Sequence, residues 1–98
     1  MYKLLISKKA IEDLDGIWNY TAMTWSDEQA EKYYHQIYDC IKYLSSLTNF
    51  LGKKYDFIKT GLIGYHIGHH IIFYKKSRNG TIWINRILHE RMDFERHI

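Results

Sequence analysis

The four residues Ser26-Asp27-Glu28-Gln29 constrain this chain more than any others. They form a capping box, in which the serine hydroxyl accepts from an amide of the first helical turn, Gln29 reaches back, and two acids suit the positive helix end. A helix therefore starts there. Just upstream, Ala10, Ile11, Leu14, Ile17, Trp18 and Thr21 recur at helical spacing. They predict an amphipathic helix that is capped by Ser7 and ends near Trp25. No residues are spare between the two helices, so the chain must fold back as an antiparallel helical hairpin.

The second helix carries Ala30, Tyr33, Tyr34, Ile37, Tyr38, Cys40, Ile41, Tyr43, Leu44 and Leu47. Neighbouring residues on a helix point about 100° apart, so this set covers more than one stripe. One stripe packs against the rest of the domain. The other is left for a partner, with Tyr34, Tyr38 and Tyr43 expected to stay partly exposed as its contact residues. Cys40 reads as core. A single cysteine allows no internal disulfide, which makes the cytoplasm the expected compartment.

Strands flank the hairpin. Tyr2 to Ser7 is a short apolar run, read as a strand. From Thr48 to Gly64 the pattern dissolves into an irregular segment. Leu62 to Ile67, His69 to Lys76 and Thr81 to Leu88 then read as an antiparallel meander, turned at Gly68 and at Asn79-Gly80, where positive φ is needed. Regular pairing would put Ile71, Phe73, Ile82, Ile84, Arg86 and Leu88 on one face, the one more like core. Ile72, Tyr74, Trp83, Asn85, Ile87 and His89 would share the other, and a bulge would exchange these faces. The expected fold is α+β: a strand, a helical hairpin and a three-stranded meander that completes one small sheet.

Composition sets the outer bounds. The 98 residues make one domain, spanning 1–98, and 46% hydrophobic with 26% charged residues is a folded composition, not a disordered one. No apolar run is long enough for a signal peptide or a membrane span. A net charge of +3 is far below that of a dedicated nucleic-acid binder.

A site is expected at the end of the last strand, in Ile84-Asn85-Arg86-Ile87-Leu88-His89-Glu90-Arg91-Met92-Asp93. Charged side chains there are positioned by a sheet, and Met92 and Phe94 set apolar groups among charges, a combination that suits insertion into a partner's pocket. Arg86, His89, Arg91, Met92, Asp93 and Phe94 are the candidate target contacts. Each has a structural alternative: Arg86 can pair with Asp13 or Asp15, His89 can be a hydrogen-bonded strand-end histidine, and the tail can fray. His66, His69 and His70 invite a metal reading, but His69 and His70 point to opposite faces and no carboxylate or thiolate completes a set. Lys53-Lys54 and Lys75-Lys76-Ser77-Arg78 read as solvated charges, with phosphate contact the alternative. No phosphate-cradling glycine loop and no nucleophile with an evident base is present, so neither a cofactor nor a catalytic residue is assigned.

These residues resemble a known family. Asp13 to Tyr20 followed by Thr24-Trp25-Ser26-Asp27-Glu28-Gln29-Ala30, then Gly61-Leu62 to Gly68-His69-His70-Ile71-Ile72-Phe73-Tyr74 and the terminal string Ile84 to Asp93, look like the ParE toxins of the ParE/RelE superfamily. The resemblance covers nearly the whole length, in order. It implies the toxin of a bacterial type II toxin–antitoxin pair, of the kind that stabilises plasmids, acting on DNA gyrase with its bound DNA by trapping the cleavage complex. A ParD-like antitoxin would neutralise it, and both a homodimer and a toxin–antitoxin hetero-oligomer stay open. One departure is Leu47-Thr48-Asn49-Phe50, where the family often has an Asn-Pro stretch. The alternatives are a RelE-type ribosome-dependent mRNA endonuclease, using Lys53, Lys54, Arg86, His89, Glu90 and Arg91, and a non-toxic interaction or repressor module.

Overall fold

Both helix starts lie where their capping residues put them. The computed structural model describes residues 3–98, so the expected strand residue Tyr2 lies outside the described residues. Within them the order is β1 (Leu4–Ile6), α1 (Lys8–Thr24), α2 (Asp27–Ser46), β2 (Lys53–Lys54), β3 (Ile63–Ile67), β4 (His70–Lys76), β5 (Ile82–His89) and α3 (Phe94–His97). Ser7 Oγ accepts from the Ala10 amide at 3.0 Å and Ser26 Oγ from the Gln29 amide at 3.0 Å. Only Trp25 and Ser26 separate the two helices, and the Trp18 indole donates to Glu31 at 3.0 Å across the hairpin.

The sheet has the order β1-β5-β4-β3-β2, with β1 parallel to β5 and every other pair antiparallel. The segment expected to be irregular contributes the edge strand β2, whose Lys53 and Lys54 lie opposite Gly64 and Ile63. Two residues are too few to show a period. At the β3–β4 turn only Gly68 has positive φ (56°), and a Cβ there would meet the Tyr33 hydroxyl at 2.7 Å. This turn needs glycine for conformation and for space alike. At the β4–β5 turn the expectation is corrected in part: Gly80 takes positive φ (90°), while Asn79 does not and instead accepts from the Thr81 amide through its side chain.

One irregularity decides which residues face which way. Phe73 lies opposite Arg86 and Tyr74 opposite Ile84, which leaves Asn85 as an extra residue in β5. The bulge puts Ile82 and Ile84 on the same face as Ile72, Tyr74 and Ile87, where Ala10, Leu14, Ile37, Ile41 and Leu44 of the helices meet them. Regular pairing would have put Ile82 and Ile84 on the opposite face. Ser7, besides capping α1, donates from Oγ to the Asn85 carbonyl at 2.6 Å and from its amide to the Ile84 carbonyl at 3.0 Å. The first helix is thereby fastened to the bulge.

The other sheet face is also core. Tyr55, Leu62, Ile71, Phe73 and Leu88 are buried there, with Ile58, Phe94 and Ile98 packed over them. The Phe94 ring lies 5.0 Å from Phe73 and 6.0 Å from Tyr55, centroid to centroid. The tail is docked, not frayed. At the far end of the sheet, Lys76 donates to the carbonyls of Leu44 and Leu47, supplying a cation that the last turn of α2 lacks. Among the described residues no helix is long and apolar enough to cross a membrane.

Candidate functional site

β1 stops at Ile6, opposite Ile84, so the outer edge of β5 runs on without a strand beside it. Asp13 of α1 takes over that edge. Its carboxylate accepts from the Ile87 amide at 3.0 Å and, in bidentate fashion, from Arg86 Nε and Nη2, both at 2.8 Å. The third guanidinium nitrogen, Nη1, donates to the His97 carbonyl at 2.6 Å. Both side chains of the pair are about 15% exposed or less. Hydrogen bonding to Asp13 raises the Arg86 pKa above its already high value. The structure thus gives Arg86 the ion-pair role and withdraws it from the exposed target-facing set.

Beyond β5 the chain passes through a cluster that joins both faces of the sheet end. His70 lies opposite His89, and alternation turns both toward the helices. There the Tyr33 hydroxyl meets His70 Nδ1 at 2.7 Å and donates to the Ile67 carbonyl at 3.3 Å, while the His69 amide donates back to it at 3.2 Å. Burial lowers the His70 pKa to about 4, with repulsion from His89 and His69 adding to it. Burial also raises the Tyr33 phenol, partly offset by the His69 amide. His89 packs edge-on against His70 and stacks on His69, and its Nδ1 accepts from the Arg91 amide at 3.2 Å. It is a strand-end histidine with local partners.

On the opposite face Glu90 bridges two imidazoles, with His66 Nε2 at 2.9 Å and His69 Nδ1 at 3.2 Å. The hydrogen bond from His69, more than any other contact, lowers the Glu90 pKa. Each contact becomes an ion pair when its imidazole is protonated. The sequence did not reveal the pairing of this carboxylate with two imidazoles, because Glu90 is adjacent to His69 only through the β4–β5 register. Its one visible signal was the even spacing of His66 and Glu90 on strands whose pairing was already expected. Among the described residues, no group of three or more His, Cys, Asp or Glu is placed to hold a metal ion.

Between the Glu90 bridge and the half-buried Phe94 lie Arg91, Met92 and Asp93, all exposed, with Met92 40% accessible. Phe94, expected among the exposed contacts, is instead the anchor that holds this segment against the second core. Of the residues proposed to touch a target, the structure presents these three together and places Arg86, His89 and Phe94 beneath them. Tyr34 and Tyr38 are half-buried and Tyr43 is 52% exposed, so the helix α2 rings are partly open to solvent, with Lys42 over the Tyr38 ring. A second exposed apolar group, Tyr20, Met23 and Trp25, sits at the end of α1. The helical spacing of Tyr20 and Met23, off the stripe of Ala10 and Leu14, was the signal for it.

Comparison with known proteins places this geometry. Residues 4–94 match the family described as "ParE toxin of type II toxin-antitoxin system, parDE". The chain belongs to the ParE toxin family. This toxin is 32% identical over 96 residues to Toxin ParE1 of Mycobacterium tuberculosis, covering 98% of this chain and 97% of that one. It is 28% identical over 93 residues to Toxin ParE1 of Caulobacter vibrioides, covering 95% and 94% of the two chains. A solved structure titled "Chromosomal ParDE TA system from P. aeruginosa" superposes with a TM-score of 0.78, covering 91% of this toxin and 96% of that chain at 23% identity, which shows the shared fold. The protein is a ParE-type toxin of a type II toxin–antitoxin system.

Proposed function

We propose that this toxin acts in the bacterial cytoplasm by inhibiting DNA gyrase, holding the enzyme in its cleavage complex on DNA, and that a ParD-like antitoxin neutralises it. The observation that carries this reading is the segment Arg91-Met92-Asp93, held out at the sheet end between the Glu90 bridge and the Phe94 anchor. A short projection with a cation and an apolar tip, tied to the sheet at both ends, suits wedging into another protein. Membership of the ParE family points to gyrase. The solved relative described as a ParDE system supports an antitoxin partner, and the partly open Tyr34, Tyr38 and Tyr43 face of α2 offers it a surface on which a disordered segment can fold.

The mRNA endonuclease reading receives less support, since Arg86, its best phosphate clamp, has its donors engaged by Asp13 and His97. The test is plasmid cleavage by purified gyrase with ATP, scoring linear DNA after the enzyme is denatured. Linear product should rise with toxin and fall with Arg91→Ala or Met92→Ala, both exposed positions. Growth arrest without linear DNA, accompanied by cleavage of ribosome-bound mRNA, would overturn the gyrase reading. Absence of growth arrest would leave an interaction module.

A further inference from the structure

Charge is distributed unevenly over this toxin. Residues 50–80 hold six of its fourteen Lys and Arg but only one of its eleven acids, Asp56, while the helical stretch 8–46 holds four basic residues and seven acidic ones. The chain's modest net charge of +3 therefore conceals a cationic stretch from β2 to the β4–β5 turn and an acidic helical hairpin. Asp56 does little to neutralise the basic side, because its carboxylate accepts from the Gly61 amide at 2.9 Å within its own loop. Lys53, Lys54, Lys59 and Arg78 are exposed, and among the described residues none of them has a carboxylate partner.

Exposed rings lie among these cations. Phe57 is 70% and Phe50 55% accessible. Lys53 Nζ stands 5.4 Å above the Tyr55 ring, and Phe57 lies 5.7 Å from the same ring. Shallow hollows flank the strip. One of about 370 Å³ is lined by Lys53, Tyr65 and His66, and the other, of about 490 Å³, by Phe50, Arg78 and Asn79. Lysines on an edge strand also discourage sheet-to-sheet pairing. That role, however, calls for neither the exposed phenylalanines nor Lys59 and Arg78.

We propose that β2, the loop behind it and the β4–β5 turn form a contact surface for the sugar–phosphate backbone of DNA. Lys53, Lys54, Lys59 and Arg78 take phosphates and Phe57 packs against sugar or an opened base. This deepens the gyrase reading and rests on it for the choice of DNA: the toxin holds both the enzyme, through Arg91-Met92-Asp93, and the DNA that the enzyme has cut. Phosphates fit the strip because its cations are uncompensated and solvated, so binding releases counterions without breaking an internal ion pair. Aromatic faces between cations are the other element that nucleic-acid surfaces combine with charge.

The experiment titrates the toxin alone against a short fluorescein-labelled DNA duplex by anisotropy, with the single strand and an RNA of the same sequence as further arms. Lys53→Glu/Lys54→Glu should weaken DNA binding about tenfold or more and flatten its salt dependence by roughly two phosphate contacts. Phe57→Ser should weaken it less, and Lys8→Glu/Lys9→Glu, an equal change of net charge at the start of α1, should leave it within about twofold. Circular dichroism and melting should be unchanged for all three variants. No binding, equal loss in the two charge-reversed variants, a clear preference for RNA, or full competition by polyglutamate would each overturn the proposal. Linear plasmid from gyrase without DNA binding by the toxin would remove this surface and keep the gyrase reading, whereas binding that depends on Lys53 and Lys54 without linear plasmid would do the reverse.

Discussion

The two faces of the sheet are built on different terms. Against the helices lies an aliphatic core drawn from α1, α2 and three strands, with Ile37, Ile41, Ile72, Ile82 and Ile84 fully enclosed. Against the tail lies a smaller, aromatic one, in which Tyr55, Phe73 and Phe94 meet edge to face and half-buried Ile58, Phe94 and Ile98 form the lid. The first is closed by helices of seventeen and twenty residues, the second by a turn of four. The helix side therefore carries the stability of the fold. The tail side carries the exposed segment proposed to meet the target, on an anchor that costs less to release.

The largest expected effect breaks the helix side. Ile37→Ala removes most of a side chain with no solvent access and should cost about 3 kcal/mol, a large share of what a domain this size has, read as a lower urea midpoint for the whole molecule. Next comes the link between the faces. Asp13→Ala strands the Arg86 charge, leaves the Ile87 amide without its acceptor and should cost roughly 3 kcal/mol, slightly less than the core change because the pair keeps some access to water. A double change, Asp13→Ala with Arg86→Met, should recover much of that loss. No recovery would mean that the loss comes from the pair's own attraction and the orphaned Ile87 amide, not from a stranded charge.

Phe94→Ala should cost about 2 kcal/mol or less, because the ring is only half-buried. Its signature is local: faster hydrogen exchange at residues 91–98 with α1 and α2 still protected. Uniform loss of protection would show that the faces fold as one unit. The smallest effect comes from pH. The unfolded chain takes up a proton at His70 near 6.5, whereas the folded one refuses it until about 4, so stability should decline as pH falls through that window and be unaffected above it. The ring is only partly buried, so screening leaves roughly 1–2 kcal/mol of that effect. His70→Gln should flatten the acid limb of the melting curve, and an unchanged limb would place the titration elsewhere.

The helix side was legible in the sequence because its signals are local. Ser7 and Ser26 cap what they were expected to cap, and Ala10, Leu14, Ile37, Ile41 and Leu44 lie inward as their spacing required. The tail side was not, because Tyr55, Phe73 and Phe94 come from three stretches with no shared period and meet only once the sheet exists. The same holds for the site. Arg86 with Asp13 was readable as an alternative, since a lone charge on an apolar strand needs a partner. Glu90 between His66 and His69, and Tyr33 against His70, depend on a register that the residues of one strand do not reveal.

The extra residue at Asn85 also makes the aim of the projecting tip a matter of parity. Every strand position after it has the side it would have lacked in an even strand, so the face from which the chain leaves β5 at His89 is decided at Asn85, beneath the cap of the first helix. Substitutions along β5 alter how well the strand packs, whereas a gain or loss of one residue there turns its far end over. The tip's chemistry can therefore be changed by substitution, whereas the face from which it leaves the sheet depends on the count between Ile84 and Glu90.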